Sequence, residues 1–357
     1  MTEAVVLVGG RGTRLRPLTV NTPKPLLSVA GVPFLAHVFA RIRDAGITHV
    51  VLATSYRAEV FEQTFGNGSR YGIELEYVTE TSPLDTAGAI RNVVPALRGG
   101  PEDPVLVLNG DILSGHDIAG QIRAHLDRGA DVTLHLIEVE DARAFGCVPI
   151  DADGRVTAFL EKMPEPVTNL VNAGSYVFRR SVIDSIPTGR PVSVERETFP
   201  DLLAAGALVL GHVESTYWRD LGTPAAYVGG SRDLVLGIVG SGALPGETGQ
   251  ALVDPTAVVD ATAQVHGGSV IGAEAVIAAG AVVDASVVLE GAQIAAGAVV
   301  RRSLIGERAV VGSDTTVADG VVGDDADLGS DNEFREGIRV WTSAVIPDRS
   351  IRFSSDS

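Results

Sequence analysis

Between Val253 and Asp331 the chain repeats with a period that few folds tolerate. Aliphatic side chains stand at Val253, Val259, Val265, Ile271, Ile277, Val283, Leu289, Ile294, Val300, Ile305, Val311 and Val317, in steps of six with two steps of five. Small residues fill most positions between, and the stretch holds no Phe, Tyr, Trp, Lys, Met or Cys. Helices repeat near 3.6 residues and strands near 2. A six-residue period instead fits a hexapeptide parallel β-helix, in which each hexad forms one face of a three-sided coil and turns its aliphatic side chain inward. Twelve such positions make about four coils. A flexible linker has no reason to hold that phase. The expectation is a left-handed parallel β-helix over 253–331, preceded by a glycine-rich linker at 236–252 and followed by a tail or cap at 332–357.

Residues 1–235 read differently. Ala4–Val8 is a short apolar run bounded by glycines, as in a buried parallel strand. Pro33 opens a helix with Phe34, Leu35, Val38 and Ile42 on one face, stopped near Gly46. Strands are expected at His49–Ala53, Ile73–Val78 and Val105–Leu108, and a helix at Ala58–Phe65. Asp85 reads as the N-cap of a helix running to about Arg98. Asp153-Gly154, flanked by apolar runs, signals a hairpin. The sum is an α/β domain with a mostly parallel sheet. Ligands bind beyond the carboxyl ends of strands in such sheets, so the loops after strands are where chemistry is sought.

The net charge of −17 argues against a nucleic-acid or anionic-membrane surface. It leaves room for small anions held in a local basic pocket. The single cysteine, Cys147, excludes an intramolecular disulfide and favours a reducing compartment. No apolar stretch reaches the roughly 18 residues of a membrane span, and the N-terminus lacks a signal-peptide pattern. The expected location is the cytoplasm. Of 28 basic side chains only Lys24 and Lys162 are lysines. A chain so biased to arginine keeps lysine where a planar guanidinium does not fit, as at a compact phosphate contact.

The first strand runs into Gly9-Gly10-Arg11-Gly12-Thr13-Arg14-Leu15-Arg16-Pro17-Leu18-Thr19. Three glycines in four residues let the backbone approach an anion and point N–H groups at it. The loop lacks the Gly-Lys-Ser/Thr ending of a Walker A motif, and Leu15 stands where the third glycine of a dinucleotide fingerprint belongs. Arg14, Arg16 and the proline-flanked Lys24 add fixed positive charge, so the pattern points to triphosphate binding.

These residues, with Pro23-Lys24-Pro25-Leu26, resemble the signature of the sugar-1-phosphate nucleotidylyltransferases. The resemblance continues at Pro83-Leu84-Asp85-Thr86-Ala87-Gly88, Asn109-Gly110-Asp111, Phe159-Leu160-Glu161-Lys162, Asn172-Ala173-Gly174 and Trp218-Arg219-Asp220-Leu221-Gly222-Thr223-Pro224, and with the hexapeptide repeats it covers essentially the whole chain. It implies a Rossmann-like nucleotidyltransferase domain over 1–235. It also implies an in-line attack of a sugar phosphate on the α-phosphorus of a nucleoside triphosphate, with release of pyrophosphate.

Catalysis of that kind is positioning plus charge stabilisation. The resemblance gives nucleotide contacts to Leu7, Gly9, Gly10, Gly12, Thr13, Arg14, Lys24, Glu80, Asp85 and Gly88. It gives sugar-phosphate contacts to Gly146, Glu161, Lys162 and Asn172. Asp111 and Asp220 would hold Mg²⁺, and Arg14, Lys24, Asp111, Lys162 and Asp220 form the catalytic set.

Within the family, GTP and mannose 1-phosphate are the expected substrates. Glucose 1-phosphate with UTP, dTTP or ATP is the nearest alternative. Glu80 fits guanine, whose N1–H and N2 amine offer two adjacent donors to one carboxylate; it also reads as a solvated loop charge. Asp85 departs from the glycine usual in the family, and Met163 from a common proline. The β-helix is expected to serve assembly into a homo-oligomer. Two other classes remain: an acyltransferase using His266, the only histidine of the repeats, and a non-catalytic regulatory copy, which need not retain Arg14, Lys24, Asp111 and Asp220.

Overall fold

The computed structural model describes residues 1–10, 12–55, 57–161 and 163–352, with Glu161 described by its backbone alone. The chain divides into two compact units. One takes Met1–Gly10 and Val38–Trp218; the other takes Arg11–His37 and Arg219–Ser357. This differs from the contiguous division at 235 expected from composition, because the segment after the first glycines joins the C-terminal unit.

In the first unit, nine strands form one sheet among the described residues. Pro104–Asn109, Glu3–Leu7, His49–Thr54 and Glu74–Thr79 lie side by side and parallel. Their sequences explain this. Val5, Val6, Val50, Val51, Leu52, Leu106 and Val107 are fully buried, so both faces of these strands are covered and an unbroken apolar run is what fits. Leu170–Arg179 turns antiparallel to Pro104–Asn109 and to Val132–Glu138, and Val209–Glu214 then runs parallel to Val132–Glu138. Tyr176, Phe178 and Phe199 pack together in the core, with ring centroids 5.4 Å apart for Tyr176–Phe199. Each such buried side chain contributes roughly 1.5–3 kcal/mol.

The expected strands and helices recur within a residue or so, including the helix Ala58–Phe65. The helix from Asp85 is shorter than expected. It ends at Asn92 and gives way to a 3-10 turn, Val94–Ala96, where Pro95 cannot donate. Asp153-Gly154 does turn the chain, but its flanks meet in a single bridge, Ile150 with Val156.

In the second unit the C-terminal strands are all parallel and fall into three sheets of six, six and five strands. This is a parallel β-helix, consistent with the left-handed hexapeptide type. The inward side chains are Ile271, Ile277, Val283, Val288, Ile294, Val300, Ile305, Val311, Val317, Val322, Leu328, Phe334 and Val340. Val288, not Leu289, takes the interior position, so one five-residue step falls at Val283–Val288. The next two fall at Val300–Ile305 and Val317–Val322, always on entry to the same sheet.

Successive coils are thus 17 residues apart there. A serine ladder marks the shortened corner: Ser286 N–H donates to Ser269 Oγ and Ser303 N–H to Ser286 Oγ, each at 3.1 Å. Strands continue to Val345–Ile346, so the expected boundary at 331 falls inside the solenoid.

Outward from Ile271, Val288, Ile305 and Val322 stand Val270, Val287, Leu304 and Val321. They face out of the coil yet are 0–2 % exposed, so this face of the sheet is covered as well. Helix Pro224–Val235 lies against Ser269–Ile271, the first of these strands to be covered. At the last position in register stands Arg339.

Candidate active site

The second unit carries the cationic half of the predicted residues. Gly12 adopts φ 58°, and its carbonyl accepts from Thr19 Oγ1 at 2.7 Å, which closes the loop behind the 3-10 turn Thr13–Leu15. Thr13 and Arg14 face solvent while Leu15 is fully buried, so the turn is held by its apolar member and presents its polar ones. Lys24 starts a second 3-10 turn, Lys24–Leu26, fixed by Pro23 and Pro25.

The Lys24 side chain is only 11 % exposed, and Nζ lies 3.7 Å from Asp220 Oδ1. Arg14 Nη2 lies 3.9 Å from Asp220 Oδ2. Asp220 therefore sits between two cations at distances of charge attraction rather than hydrogen bonding. Its neighbour Arg219 points the other way and donates to Asp233 at 2.9 Å. Gly222 is required by this arrangement. A Cβ there would press on the Arg14 guanidinium and lie 2.8 Å from Asp220 Oδ1.

The first unit carries the remaining residues, of which Leu7, Glu80 and Asp111 end or follow its parallel strands. Leu7 ends the first strand, and the Gly9 carbonyl accepts from Ser55 Oγ at 2.9 Å. Gly110 N–H donates to the Leu7 carbonyl at 2.9 Å, where any Cβ would lie 2.7 Å from that oxygen. This close approach places Asp111 directly after two neighbouring strand ends. Gly88 has a packing role. Its missing Cβ lets helix Asp85–Asn92 lie against the Arg190 carbonyl, and its N–H donates to the Val192 carbonyl at 3.1 Å.

Glu80 and Asp85 are engaged with the protein itself. Glu80 Oε2 accepts from Leu84 N–H at 3.0 Å, so the carboxylate staples its own loop. Asp85 is not the N-cap; Leu84 holds that position without a side-chain bond. Asp85 has φ 59°, the left-handed region, which explains why a glycine suits this place. Its Oδ1 accepts from Thr86 N–H at 2.8 Å and its Oδ2 pairs with Arg196 at 2.9 Å.

A cavity of about 630 Å³ opens beside it, and Asp85, Gly146 and Asn172 line it together. Asn172 is oriented from below: its Nδ2 donates to Tyr176 Oη at 2.8 Å, and burial together with the charge of Glu195 holds that phenol neutral. The same cavity is lined by Glu195 and Arg196, which sequence reasoning missed. They lie on a π-helical turn, Val194–Thr198. Its signal was a capping pair: Arg196 N–H donates to Ser193 Oγ at 3.2 Å and Ser193 N–H to Glu197 Oε1 at 3.2 Å. Lys162 and the Glu161 side chain lie outside the described residues; the Glu161 backbone pairs with Gly146.

The nucleotidyl transferase family pattern matches residues 3–235, and the pattern of the GMPPB C-terminal domain matches residues 247–357. The chain is 53% identical over 355 residues to a mannose-1-phosphate guanylyltransferase of Mycobacterium tuberculosis (strain ATCC 25618 / H37Rv), covering 99% of this chain and 98% of the relative. It is 36% identical to the mannose-1-phosphate guanylyltransferase catalytic subunit beta of Drosophila melanogaster, over 72% of this chain and 70% of that one. Among solved structures it resembles HddC from Yersinia pseudotuberculosis complexed with GMP-PN, with a TM-score of 0.57 and 27% identity over 65% of this chain and 99% of that one.

Proposed function

The chain belongs to the nucleotidyl transferase family, and from that premise we propose that it transfers GMP from GTP to α-D-mannose 1-phosphate, giving GDP-mannose and pyrophosphate. The 53% identity across essentially the whole chain carries the choice of substrates. The placement of Asp220 between Lys24 and Arg14 supports the chemistry. When a triphosphate enters, both cations have a better partner than one carboxylate. Arg14 and the N–H groups of the glycine loop take the β- and γ-phosphates as pyrophosphate gains charge, and Lys24 neutralises the α-phosphate. Leu7, Glu80, Asp85 and Gly88 belong to the base side. Asn172, Gly146, Glu161 and Lys162 orient the sugar phosphate for in-line attack.

Magnesium fits the residues present. Asp111 and Asp220 offer hard carboxylate oxygens. Among the described residues there is no cluster of three or more His, Cys, Asp or Glu suited to an all-protein cage, and magnesium does not need one, since it takes one or two carboxylates and completes its shell from phosphates and water. When bound, it would screen the charge between the two phosphate-bearing substrates.

The same reading gives a homo-oligomer through the β-helix, where Val258 and Val345 are 62% and 71% exposed. It gives a cytoplasmic location, supported by the buried free thiol of Cys147. Among the described residues no helix is long and apolar enough to cross a membrane. Five nucleoside triphosphates assayed against mannose 1-phosphate and glucose 1-phosphate, read as pyrophosphate release, test the proposal. GTP with mannose 1-phosphate should lead the panel, and a higher kcat/KM for any other pair overturns it.

A further inference from the structure

The β-helix sheet formed by Ala251–Val253, Ser269–Ile271, Val287–Val288, Leu304–Ile305, Val321–Val322 and Arg339–Val340 has one outward column. Four successive members, Val270, Val287, Leu304 and Val321, are buried aliphatics. The last is Arg339, where a further aliphatic would continue the pattern. Its Nη1 donates to the backbone carbonyl of Arg16 at 2.9 Å. The next residue, Pro17, is buried, and its ring lies so close to Gly323 that a Cβ there would come within 3.0 Å of Pro17 Cγ. Arg16 closes the 3-10 turn Thr13–Leu15, so its carbonyl is one that the turn leaves without an internal partner.

Arg14 sits two residues earlier in that turn, with a side chain 65% exposed. Only its tip is engaged, by Asp220 and the bare face of Gly222, and the point from which the side chain starts is set by the backbone of the turn. That backbone is fixed on one side by the Thr19–Gly12 bond and on the other by Arg339 and the flat surface at Gly323. We propose that Arg339 is a positioning residue for nucleotide use: through the Arg16 carbonyl, the β-helix holds the 12–17 turn in the conformation that presents Arg14 to the triphosphate. The inference rests on the reading of Arg14 as a phosphate contact. Arg339 touches no substrate; its effect passes through backbone geometry, where a displacement of about 1 Å changes rates by tens of fold or more.

The test uses the full-length enzyme with Arg339→Ala and Arg339→Lys. Kinetics are measured with each substrate varied at saturation of the other, and hydrogen exchange is followed by peptide. Arg339→Ala should lower kcat/KM for the nucleotide about tenfold, while KM for the sugar phosphate stays within about twofold of the parent, an interval well below that effect. Arg339→Lys should recover most of the loss. Exchange should quicken in the peptide covering 12–18 and stay unchanged across 269–322. Parental nucleotide kinetics in Arg339→Ala overturns the proposal. So does an equal loss for both substrates with faster exchange through the whole sheet, which marks a merely structural arginine. If the parent enzyme prefers another substrate pair, that failure belongs to the functional reading, and the Arg339 variants are compared on the preferred pair.

Discussion

In the second unit Asp220 faces Lys24 at 3.7 Å and Arg14 at 3.9 Å, while in the first unit Glu80 and Asp85 give their oxygens to Leu84 N–H, Thr86 N–H and Arg196 at 2.8–3.0 Å. The first arrangement brings one carboxylate within 3.7–3.9 Å of two cations, on turns built from prolines, glycines and one buried leucine. The second uses charges to build the turn itself. A loop carboxylate that makes short bonds to its own backbone builds the turn before it is anything else; one that faces two cations at 3.7–3.9 Å stands where a more highly charged anion competes for them.

Removing either carboxylate proposed to hold magnesium, Asp220 of the second unit or Asp111 of the first, should have the largest effect. Asp220→Asn and Asp111→Asn should each lose turnover by on the order of a hundredfold or more with melting temperatures near the parent, since each would delete an anionic ligand of the proposed magnesium site. Near-parental rates at saturating magnesium in both would erase the contrast. The cations come next. Lys24→Arg keeps the charge but puts a planar fork into a nearly closed slot, so kcat should fall about tenfold or more; an active Lys24→Arg enzyme would mean that charge alone matters there.

Glu80→Gln sharpens the other half. The amide oxygen can still accept from Leu84 N–H, so the loop should stay folded. If Glu80 also reads guanine, GTP use should weaken relative to ITP by on the order of tenfold. An unchanged GTP-to-ITP ratio would leave Glu80 as a staple only. The smallest effect belongs to Asp85→Gly. Glycine relieves the left-handed backbone but loses an exposed ion pair, so stability should stay within about 0.5 kcal/mol of the parent. A fall of more than about 1 kcal/mol in denaturant unfolding would restore the capping role.

The β-helix was legible because its rule is local and repeats: a buried aliphatic every hexad. Its single error of register, Leu289 for Val288, arose where Val287-Val288-Leu289 offers three aliphatics in a row and only the shortened corner at Ser286 chooses among them. The loops with Lys24, Gly12 and Gly222 were legible through prolines and glycines, whose backbone demands are intrinsic. Asp85 misled because an aspartate at a helix start suits both a cap and a left-handed residue, and only φ tells them apart. Glu195 and Arg196 went unnoticed because a π-helical turn looks like any short polar helix in sequence. The grouping of Arg11–His37 with the C-terminal unit had no local signature at all, since it depends on partners such as Ser231, whose hydroxyl meets Ala30 N–H at 2.9 Å.

The bond from Arg339 to Arg16 also bears on how the chain is made. The two residues are 323 positions apart. Synthesis runs from the N-terminal side, so the glycine loop and both 3-10 turns leave the ribosome first and the anchor of that loop emerges 323 residues after Arg16. A product that stops before Arg339 would hold every signature residue up to Asp220 and still lack the bond from Arg339 to the Arg16 carbonyl. Under the proposal above, competence of the first loop waits on the arrival of Arg339, through one hydrogen bond.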